Sequence, residues 1–348
     1  MIARRFVLTC LLASLVLVPP AQAQKRYPGQ SWDKAATPAQ LGWSPEKLKA
    51  ARDYSNSIST AAVMIVEDGL VIEEWGETTR KFNLHSIRKS FLSALCGIHV
   101  KAGHIQLNKR LEQLGIDDNE PALTPVEKKA KVLDLLKARS GIYHPALYET
   151  AAMAALRPGR GSYPPGAFWY YNNWDFNALG TIFERETKTR IFEELKRRIA
   201  DPLQMEDYRV EDGQYFTGPN SIHPAYPIRM TARDMARFGL LFLRQGEWRG
   251  RSIVPKKWVR ESTTSYSDAG SAGGYGYMWW VAAGGRHFPG ATLKDGSYSA
   301  RGAGGHFMVV IPDRNLVVVH RVNTDLPGRS VGGLEFGRLL QLILDAKR

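Results

Sequence analysis

The run Asn83-Leu84-His85-Ser86-Ile87-Arg88-Lys89-Ser90-Phe91-Leu92-Ser93-Ala94-Leu95 places a serine at the start of a predicted helix and a lysine three residues later. Residues i and i+3 share one face of a helix, so the Ser86 hydroxyl and the Lys89 amine can meet. A serine hydroxyl is a good nucleophile only when a base takes its proton, and a lysine desolvated in a closed cleft can be that base. The apolar residues after Lys89 predict a buried helix that holds the pair in place.

The pattern Ser-x-x-Lys also occurs at residues 31–34 and 44–47, so the pattern alone is weak. Ser44 is followed by a proline and a glutamate, which is typical of a helix N-terminus with a serine cap. The alternative interpretation of any single match is therefore a capped helix with a solvated lysine. Ser86 needs companions elsewhere in the chain before it can be interpreted as a nucleophile.

The first 23 residues resemble a secretory signal peptide. Two arginines precede a short apolar run, and Ala21-Gln22-Ala23 has the Ala-x-Ala pattern of a signal-peptidase cleavage site. We expect cleavage after Ala23 and export to the periplasm or medium, because the apolar run is too short for a membrane span and no later segment is apolar enough. An uncleaved anchor is the alternative. Cys10 would leave with this segment, so Cys96 remains without a disulfide partner.

Charge and motifs exclude several functions. The net charge is +13, and loss of the two arginines of the signal peptide leaves +11. The basic residues are scattered and no nucleic-acid motif is present, so we expect no nucleic-acid partner. The eight histidines lack metal-ligand spacing, and neither a phosphate loop nor a Gly-x-Ser-x-Gly elbow occurs. We therefore expect no metal and no cofactor, and the sequence leaves the oligomeric state open.

The order of predicted elements favours one α/β (α+β) domain, in which an antiparallel sheet is flanked by helices and a mostly helical lobe is inserted. An N-terminal arm over residues 24–40 leads into a domain over 41–348. Its α/β part covers about 41–104 and 226–348, and the lobe about 105–225 has no convincing strand pattern. The predicted strands are 61–66, 70–76, 275–281, 306–312 and 316–321, and the predicted helices include 126–138, 177–199, 231–243 and 331–346.

A second candidate motif is Tyr171-Asn172-Asn173, which lies in a dense aromatic stretch. A tyrosine near a lysine can carry protons, because a neighbouring cation favours its phenolate form. Asn173 could hydrogen-bond to a substrate carbonyl. The alternative interpretation is an aromatic core segment with asparagines at its turns.

A third candidate motif is Ala300-Arg301-Gly302-Ala303-Gly304-Gly305-His306. Glycines leave the backbone uncovered, so a substrate could lie along the strand edge and bond to main-chain groups. One N–H there, assigned to His306, would form an oxyanion hole with the N–H of Ser86. An ordinary glycine turn between two strands is the alternative.

Taken together, Ser86-Ile87-Arg88-Lys89, Tyr171-Asn172-Asn173 and Gly302-Ala303-Gly304-Gly305 resemble the class C beta-lactamase family of penicillin-recognising serine hydrolases, over roughly residues 40–340. The region after residue 230 is most similar to the 6-aminohexanoate-dimer hydrolase and esterase branch. The resemblance implies a beta-lactamase/transpeptidase-like fold, with Ser86 as the acylated nucleophile and Lys89 sharing its proton. It implies further that Tyr171 is the general base and acid, and that Asn173 orients Lys89 or the substrate amide.

The third motif departs from the family pattern of Lys-Thr-Gly or His-x-Gly, since Ala303-Gly304-Gly305 stands at those positions. The cation that meets a penicillin carboxylate is missing unless Arg301 or His306 replaces it. We therefore expect a small-molecule or short peptide substrate with a neutral amide or ester bond. The alternatives are a DD-peptidase or beta-lactamase that acts on cell-wall peptides or beta-lactams, and a catalytically silent envelope-binding protein on the same scaffold.

Overall fold

The computed structural model describes residues 25–348, so the predicted signal peptide over 1–23 lies outside the described residues. The α-helices, labelled α1 to α9, are Pro45–Ser57, Arg88–Lys101, Val132–Leu136, Ala151–Ala155, Asn173–Thr187, Ile191–Leu195, Ala232–Leu243, Lys256–Ser262 and Gly333–Asp345. The strands, labelled β1 to β14, are Thr60–Glu67, Leu70–Gly76, Phe82–Asn83, Phe216–Gly218, Ser221–Ala225, Arg229–Met230, Glu247–Trp248, Arg251–Ser252, Ser267–Asp268, Gly274–Tyr275, Trp280–Val281, Tyr298–Gly302, His306–Ile311 and Leu316–Val322.

Eight strands form one antiparallel sheet in the order β2-β1-β14-β13-β12-β11-β10-β9. The N-terminal hairpin β1–β2 therefore pairs with the last strand of the chain, and Val63 lies opposite His320. This long-range pairing encloses residues 77–315, which include the lobe. The predicted architecture of an antiparallel sheet flanked by helices is confirmed.

The two faces of the sheet carry separate apolar cores. Val63 and Ile65 face one side and pack with the residues of α1 and α9. Met64 and Val66 face the other side and pack with α2, α5 and α7. This alternation follows from the two-residue period of a strand, in which neighbouring side chains point to opposite faces. Helix α2 is buried along nearly all of its length, as its apolar sequence predicted.

Some local predictions are wrong. The strand predicted over 275–281 is two short strands, β10 and β11, because Met278 has a positive φ of 61° and reverses the chain. Strand β12 was not predicted, and the lobe contains a small hairpin, β4–β5. The helix predicted over 177–199 is interrupted at Lys188, which has a φ of 57°. The departures at Met278 and Lys188 are turns made by a non-glycine residue, which carries only a weak sequence signal.

The arm ahead of the domain packs against it. Trp32 is buried, and its indole N–H donates to the carbonyl of Arg233. The Arg237 guanidinium donates to the carbonyls of Gly29 and Gln30. In the part of the chain that the structure covers, from residue 25 onward, none of the helices is both long and apolar enough for a membrane crossing.

Candidate active site

Ser86 lies in a single 3-10 turn, His85–Ile87, that leads directly into α2. The turn is reached from β3, and the N–H of Leu84 donates to the carbonyl of Ile228 at 2.8 Å. Helix α2 is anchored behind it by Phe91, which stacks on Phe238 of α7 at a centroid distance of 3.9 Å. Ser86 is therefore presented at the front of a helix whose first turns are fixed in the core.

Lys89 connects the first two candidate motifs. Its Nζ lies 2.7 Å from Ser86 Oγ and 2.6 Å from Tyr171 OH, and its side chain is only 1 % exposed. No carboxylate pairs with this amine within residues 25–348. Burial, followed by the positive charge of Arg88, holds the pKa of Lys89 well below its usual range. The amine is thus poised to be uncharged and to accept a proton.

Tyr171 comes immediately before α5, and its ring lies among Phe176, Tyr275 and Trp280. Burial raises the pKa of Tyr171 to about 12, although the Ser86 hydroxyl and Arg88 act in the opposite direction. The expectation from sequence was that a neighbouring cation would favour the phenolate. The structure gives the reverse, because burial disfavours the phenolate and also drives Lys89 toward its neutral form. At neutral pH Tyr171 is a phenol, which can donate its proton.

Asn173 is the first residue of α5, and it lines the cavity in front of Ser86. Its Nδ2 donates to the backbone carbonyl of Tyr148 at 2.5 Å. Its Oδ1 is buried and has no partner within residues 25–348. The resemblance implied that Asn173 orients Lys89 or the substrate amide. Asn173 reaches the site, but in the described residues it makes no hydrogen bond to Lys89. A substrate amide N–H is a group that this oxygen could accept from.

Gly304 and Gly305 of the third motif do not line the cavity. Gly304 and Gly305 have φ values of 83° and 98° and form the turn between β12 and β13. A Cβ at Gly304 would lie 2.4 Å from the Thr324 side chain, and one at Gly305 would lie 2.5 Å from the Val331 carbonyl. These glycines therefore admit neighbouring chain segments and not a substrate, which corrects the prediction for both positions.

The prediction that His306 contributes to an oxyanion hole is also corrected. His306 is fully buried, and it pairs with Gly302 in the sheet. The residues of this motif that reach the cavity are Arg301, Gly302 and Ala303. Ala303 lies just beyond β12, and its N–H has no backbone partner within the described chain. Within this motif, the N–H of Ala303 therefore fits the oxyanion-hole role better than the N–H of His306.

Arg301 lies on the cavity wall with its guanidinium largely fixed. Its Nη2 donates to the carbonyl of His287 at 2.9 Å and its Nε to Ser299 Oγ at 3.0 Å. The guanidinium carbon lies 4.1 Å from the centroid of Phe288. Burial lowers the pKa of Arg301 to about 9, so the side chain is charged at neutral pH. Its Nη1 has no partner within residues 25–348.

The cavity in front of Ser86 has a volume of about 520 Å³. Beside the predicted residues, its walls contain side chains that the sequence did not single out, among them His85, Tyr148 and Met153. His85 had one available signal, its position next to the candidate nucleophile. Tyr148 lies in the loop before α4 and Met153 lies in α4, and neither belongs to a recognisable sequence motif. Among residues 25–348, no group of three or more potential metal ligands occurs.

A Ser–Lys–Tyr cluster around a buried lysine in a cleft, on a sheet of this topology, defines a serine hydrolase of the beta-lactamase fold. The chain belongs to the Beta-lactamase family, whose family model matches residues 46–342. The predicted relationship to beta-lactamase-type serine hydrolases is therefore confirmed, and the substrate of the chain is a small molecule or a peptide. Among curated protein sequences, none matches the chain significantly.

Solved structures share the fold at low sequence identity. A Bacillus anthracis protein, provisionally named a 6-aminohexanoate-dimer hydrolase, is 21% identical with a TM-score of 0.67, and the match covers 92% of this chain and 89% of that chain. A Mycobacterium bovis beta-lactamase is 19% identical with a TM-score of 0.61, covering 86% of this chain and 100% of the other. EstCE1, a hydrolase with promiscuous acyltransferase activity, is 16% identical with a TM-score of 0.62, covering 86% and 97%.

Proposed function

We propose that this serine hydrolase is exported and cleaves an amide or ester bond through an acyl-enzyme on Ser86. The observation that carries the proposal is the position of the Lys89 amine. It is buried without an acidic partner in the described chain and lies within hydrogen-bond distance of both Ser86 Oγ and Tyr171 OH. An uncharged amine has one lone pair, which is what a base for the serine proton requires.

In acylation, Ser86 Oγ bonds to the substrate carbonyl carbon while the serine proton passes to Lys89 Nζ. Tyr171 then gives its phenolic proton to the leaving nitrogen or oxygen as the scissile bond breaks. The Lys89 ammonium restores the phenol, so the proton that left Ser86 is balanced by the one on the leaving group. This order follows from the pKa directions, since burial favours neutral Lys89 and neutral Tyr171 in the resting site.

In deacylation, water attacks the acyl carbon and its proton passes to the Tyr171–Lys89 pair. The same proton returns to Ser86 Oγ as the ester bond breaks, and the acid leaves. Negative charge on the carbonyl oxygen would be held by two backbone N–H groups, those of Ser86 and Ala303. Gly302 supports this assignment, because its lack of a side chain lets β12 approach the Leu84 carbonyl closely.

Covalent labelling tests the nucleophile. We expect a fluorophosphonate probe to label Ser86 in the wild-type protein and to leave Ser86→Ala unlabelled. Ser31→Ala is the matched control, because Ser31 begins another Ser-x-x-Lys match and is exposed. Label on a peptide other than the one containing Ser86, or label that persists in Ser86→Ala, would reject the assignment.

A substrate with a carboxylate next to the scissile bond, such as a beta-lactam or a cell-wall peptide, is the second candidate. Arg301 favours it, because this partly buried guanidinium lies on the cavity wall and its Nη1 is unpaired within the described chain. We propose this specificity only as the alternative to a neutral amide or ester. Labelling by a fluorescent penicillin that disappears in both Ser86→Ala and Arg301→Met would support it, whereas absence of labelling in the wild type would exclude it.

Export is proposed from the N-terminal sequence. Cleavage after Ala23 is supported by the basic N-terminus, the short apolar run and the Ala-x-Ala pattern at residues 21–23. Mass spectrometry of protein from the periplasm or medium should find Gln24 as the first residue. An intact N-terminus, or protein confined to the cytoplasm, would contradict export.

A further inference from the structure

His85, the residue before Ser86, lines the cavity and is held at several points. It has a positive φ of 47°, which is unusual for a residue with a side chain. Its N–H donates to Asn83 Oδ1 at 2.9 Å, and its carbonyl accepts from Arg88 Nη1 at 2.8 Å. Its ring Nε2 lies 2.8 Å from Thr324 Oγ1. The imidazole is therefore fixed in place beside the candidate nucleophile.

A chain of hydrogen bonds leads from this ring to a buried arginine. Thr324 Oγ1 also lies 3.2 Å from Nε2 of His306, and His306 Nδ1 accepts from Arg321 Nε at 3.0 Å. Arg321 is buried and can only donate. Arg321 thereby sets the tautomer of His306. A neutral imidazole that accepts a hydrogen bond at Nδ1 must carry its proton at Nε2.

The proton positions then follow outward along the chain. His306 Nε2–H donates to Thr324 Oγ1, and the Thr324 hydroxyl proton is free to be donated to His85 Nε2. His85 must in that case carry its own proton at Nδ1. If both imidazoles donated to Thr324 instead, the hydroxyl proton would have no acceptor within residues 25–348. Each arrangement therefore leaves one proton without an acceptor in the described residues, on the Thr324 hydroxyl in this case and on His85 Nδ1 in the first. The first arrangement places that proton on a residue that lines the cavity, where a substrate oxygen can accept it.

The charges around the two rings agree with neutral imidazoles. Burial lowers the pKa of His85 to about 4, and Arg88, Arg321 and Arg229 act in the same direction while Asp325 opposes them. Burial and Arg321 also lower the pKa of His306. Arg321 has its pKa lowered to about 9 by burial, and it still carries its proton at neutral pH.

The hydrogen-bond network ends at His85 Nδ1, the ring nitrogen on the far side from Thr324. His85 Nδ1 makes no hydrogen bond within residues 25–348, and it is not among the buried unpaired atoms, so it is open. We propose that His85 is a substrate-binding residue whose Nδ1–H donates a hydrogen bond to a carbonyl or carboxylate oxygen of the acyl group, in the tautomer in which Thr324 donates to its Nε2. The proposal rests on the acyl-enzyme proposed above, because an acyl group on Ser86 would lie directly beside this ring.

The tautomer can be measured without a substrate. In the mature chain labelled with ¹⁵N-histidine, with the His85 signals assigned by their loss in His85→Gln, we expect a protonated Nδ1 and an unprotonated Nε2 at neutral pH. Thr324→Val, which keeps the shape and removes the hydroxyl, should shift His85 toward the Nε2–H tautomer. A wild-type His85 that carries its proton at Nε2 would overturn the proposal.

Kinetics test the contact with the acyl group. We compare p-nitrophenyl N-acetylglycinate, whose acyl chain carries an amide oxygen, with p-nitrophenyl pentanoate, which has the same chain length and no such oxygen. His85→Asn retains an N–H near the Nδ1 position and tolerates a positive φ, whereas His85→Gln reaches toward Thr324 but lacks that N–H. We expect His85→Gln to lower the ratio of kcat/KM for the two esters roughly tenfold, and His85→Asn to lower it less than about threefold.

Equal losses on both esters in His85→Gln would show that the ring is only structural, and the proposal would fall. Fluorophosphonate labelling of every variant separates this result from failure of the acyl-enzyme itself. If wild-type Ser86 is not labelled, the proposed function fails while the tautomer measurement still stands. If Ser86 is labelled and the ester ratio does not change, only the role of His85 is rejected.

Discussion

Replacing Lys89 by arginine or by methionine separates its role as a base from its role in packing. Lys89 is 1 % exposed, has no acidic partner in the described chain and has its pKa lowered by burial and Arg88. Arginine stays charged in proteins and cannot accept the Ser86 proton. A positioned general base contributes about 10²–10⁴-fold. We therefore expect each variant to lower kcat/KM for a p-nitrophenyl ester by at least about 10³-fold, because activation of the nucleophile is lost as well.

The two variants should differ in stability. Methionine removes two hydrogen bonds, each worth about 1 kcal/mol, but it also removes a buried amine, so the net change should stay within about 2 kcal/mol. Arginine places an unpaired charge in the same site and should cost about 3–5 kcal/mol. The free energies of unfolding come from urea titrations monitored by tryptophan fluorescence. Lys101→Met is the control, because Lys101 is the exposed last residue of the same helix.

An active Lys89→Met, with more than about 1% of wild-type kcat/KM, would refute the assignment of Lys89 as the base, since far less should remain without one. A stable Lys89→Arg, unfolding at the same urea concentration as the wild type, would refute the premise that the site holds a neutral amine. The two results are independent, because one concerns proton transfer and the other concerns the cost of a buried charge.

Three further substitutions test the proton donor, the position of β12 and the stability of the fold. Tyr171→Phe removes the proton donor and should lower kcat about 10²–10⁴-fold with folding intact, as judged by circular dichroism. Gly302→Ala places a Cβ 2.6 Å from the Leu84 carbonyl; a shift of the strand should lower kcat/KM at least about tenfold and the free energy of unfolding by about 1–3 kcal/mol. Asp234 accepts backbone N–H groups at 2.8, 3.0 and 2.8 Å, so Asp234→Asn should cost about 2–4 kcal/mol in urea unfolding.

The sequence predicted the parts of the fold that follow from strong periodicity. The hairpin β1–β2, strand β14 and helix α7 were found because apolar residues recur with the period of a strand or a helix. Strand β12 was missed, since Ser299, Arg301 and Gly302 give it no alternating pattern. The path of the chain near Met278 was also missed, because a left-handed turn there depends on packing against other segments and not on a turn residue.

The site was predictable where chemistry and local geometry coincide. Ser86 and Lys89 are three residues apart where a 3-10 turn runs into α2, so their contact needs no tertiary information. Tyr171 meets them only through the fold, and the motif order supplied by the family resemblance placed it there. The roles of Gly304 and His306 were placed wrongly, because sequence spacing does not show on which side of a turn the substrate lies.

The acid limb of the pH profile gives a last test of the electrostatics. Lys89 must be unprotonated to accept the serine proton, so kcat/KM should reach its plateau below pH 10.5, the ordinary lysine pKa, and its acid limb should follow Lys89. Arg88 contributes to lowering the pKa of Lys89, and it has no acidic partner within residues 25–348. Removing its charge in Arg88→Met should therefore raise the pKa of Lys89 and move the acid limb to higher pH.

Arg88→Lys serves as the matched control for that shift. It keeps the positive charge but loses the planar guanidinium that lies 5.2 Å and 5.0 Å from the ring centroids of Tyr148 and Tyr226. If charge is the cause, the acid limb of Arg88→Lys stays with the wild type, even where kcat falls because the turn at His85 has loosened. If both variants move the limb equally, packing around Arg88 sets the pKa, and the electrostatic explanation of the neutral Lys89 amine is wrong.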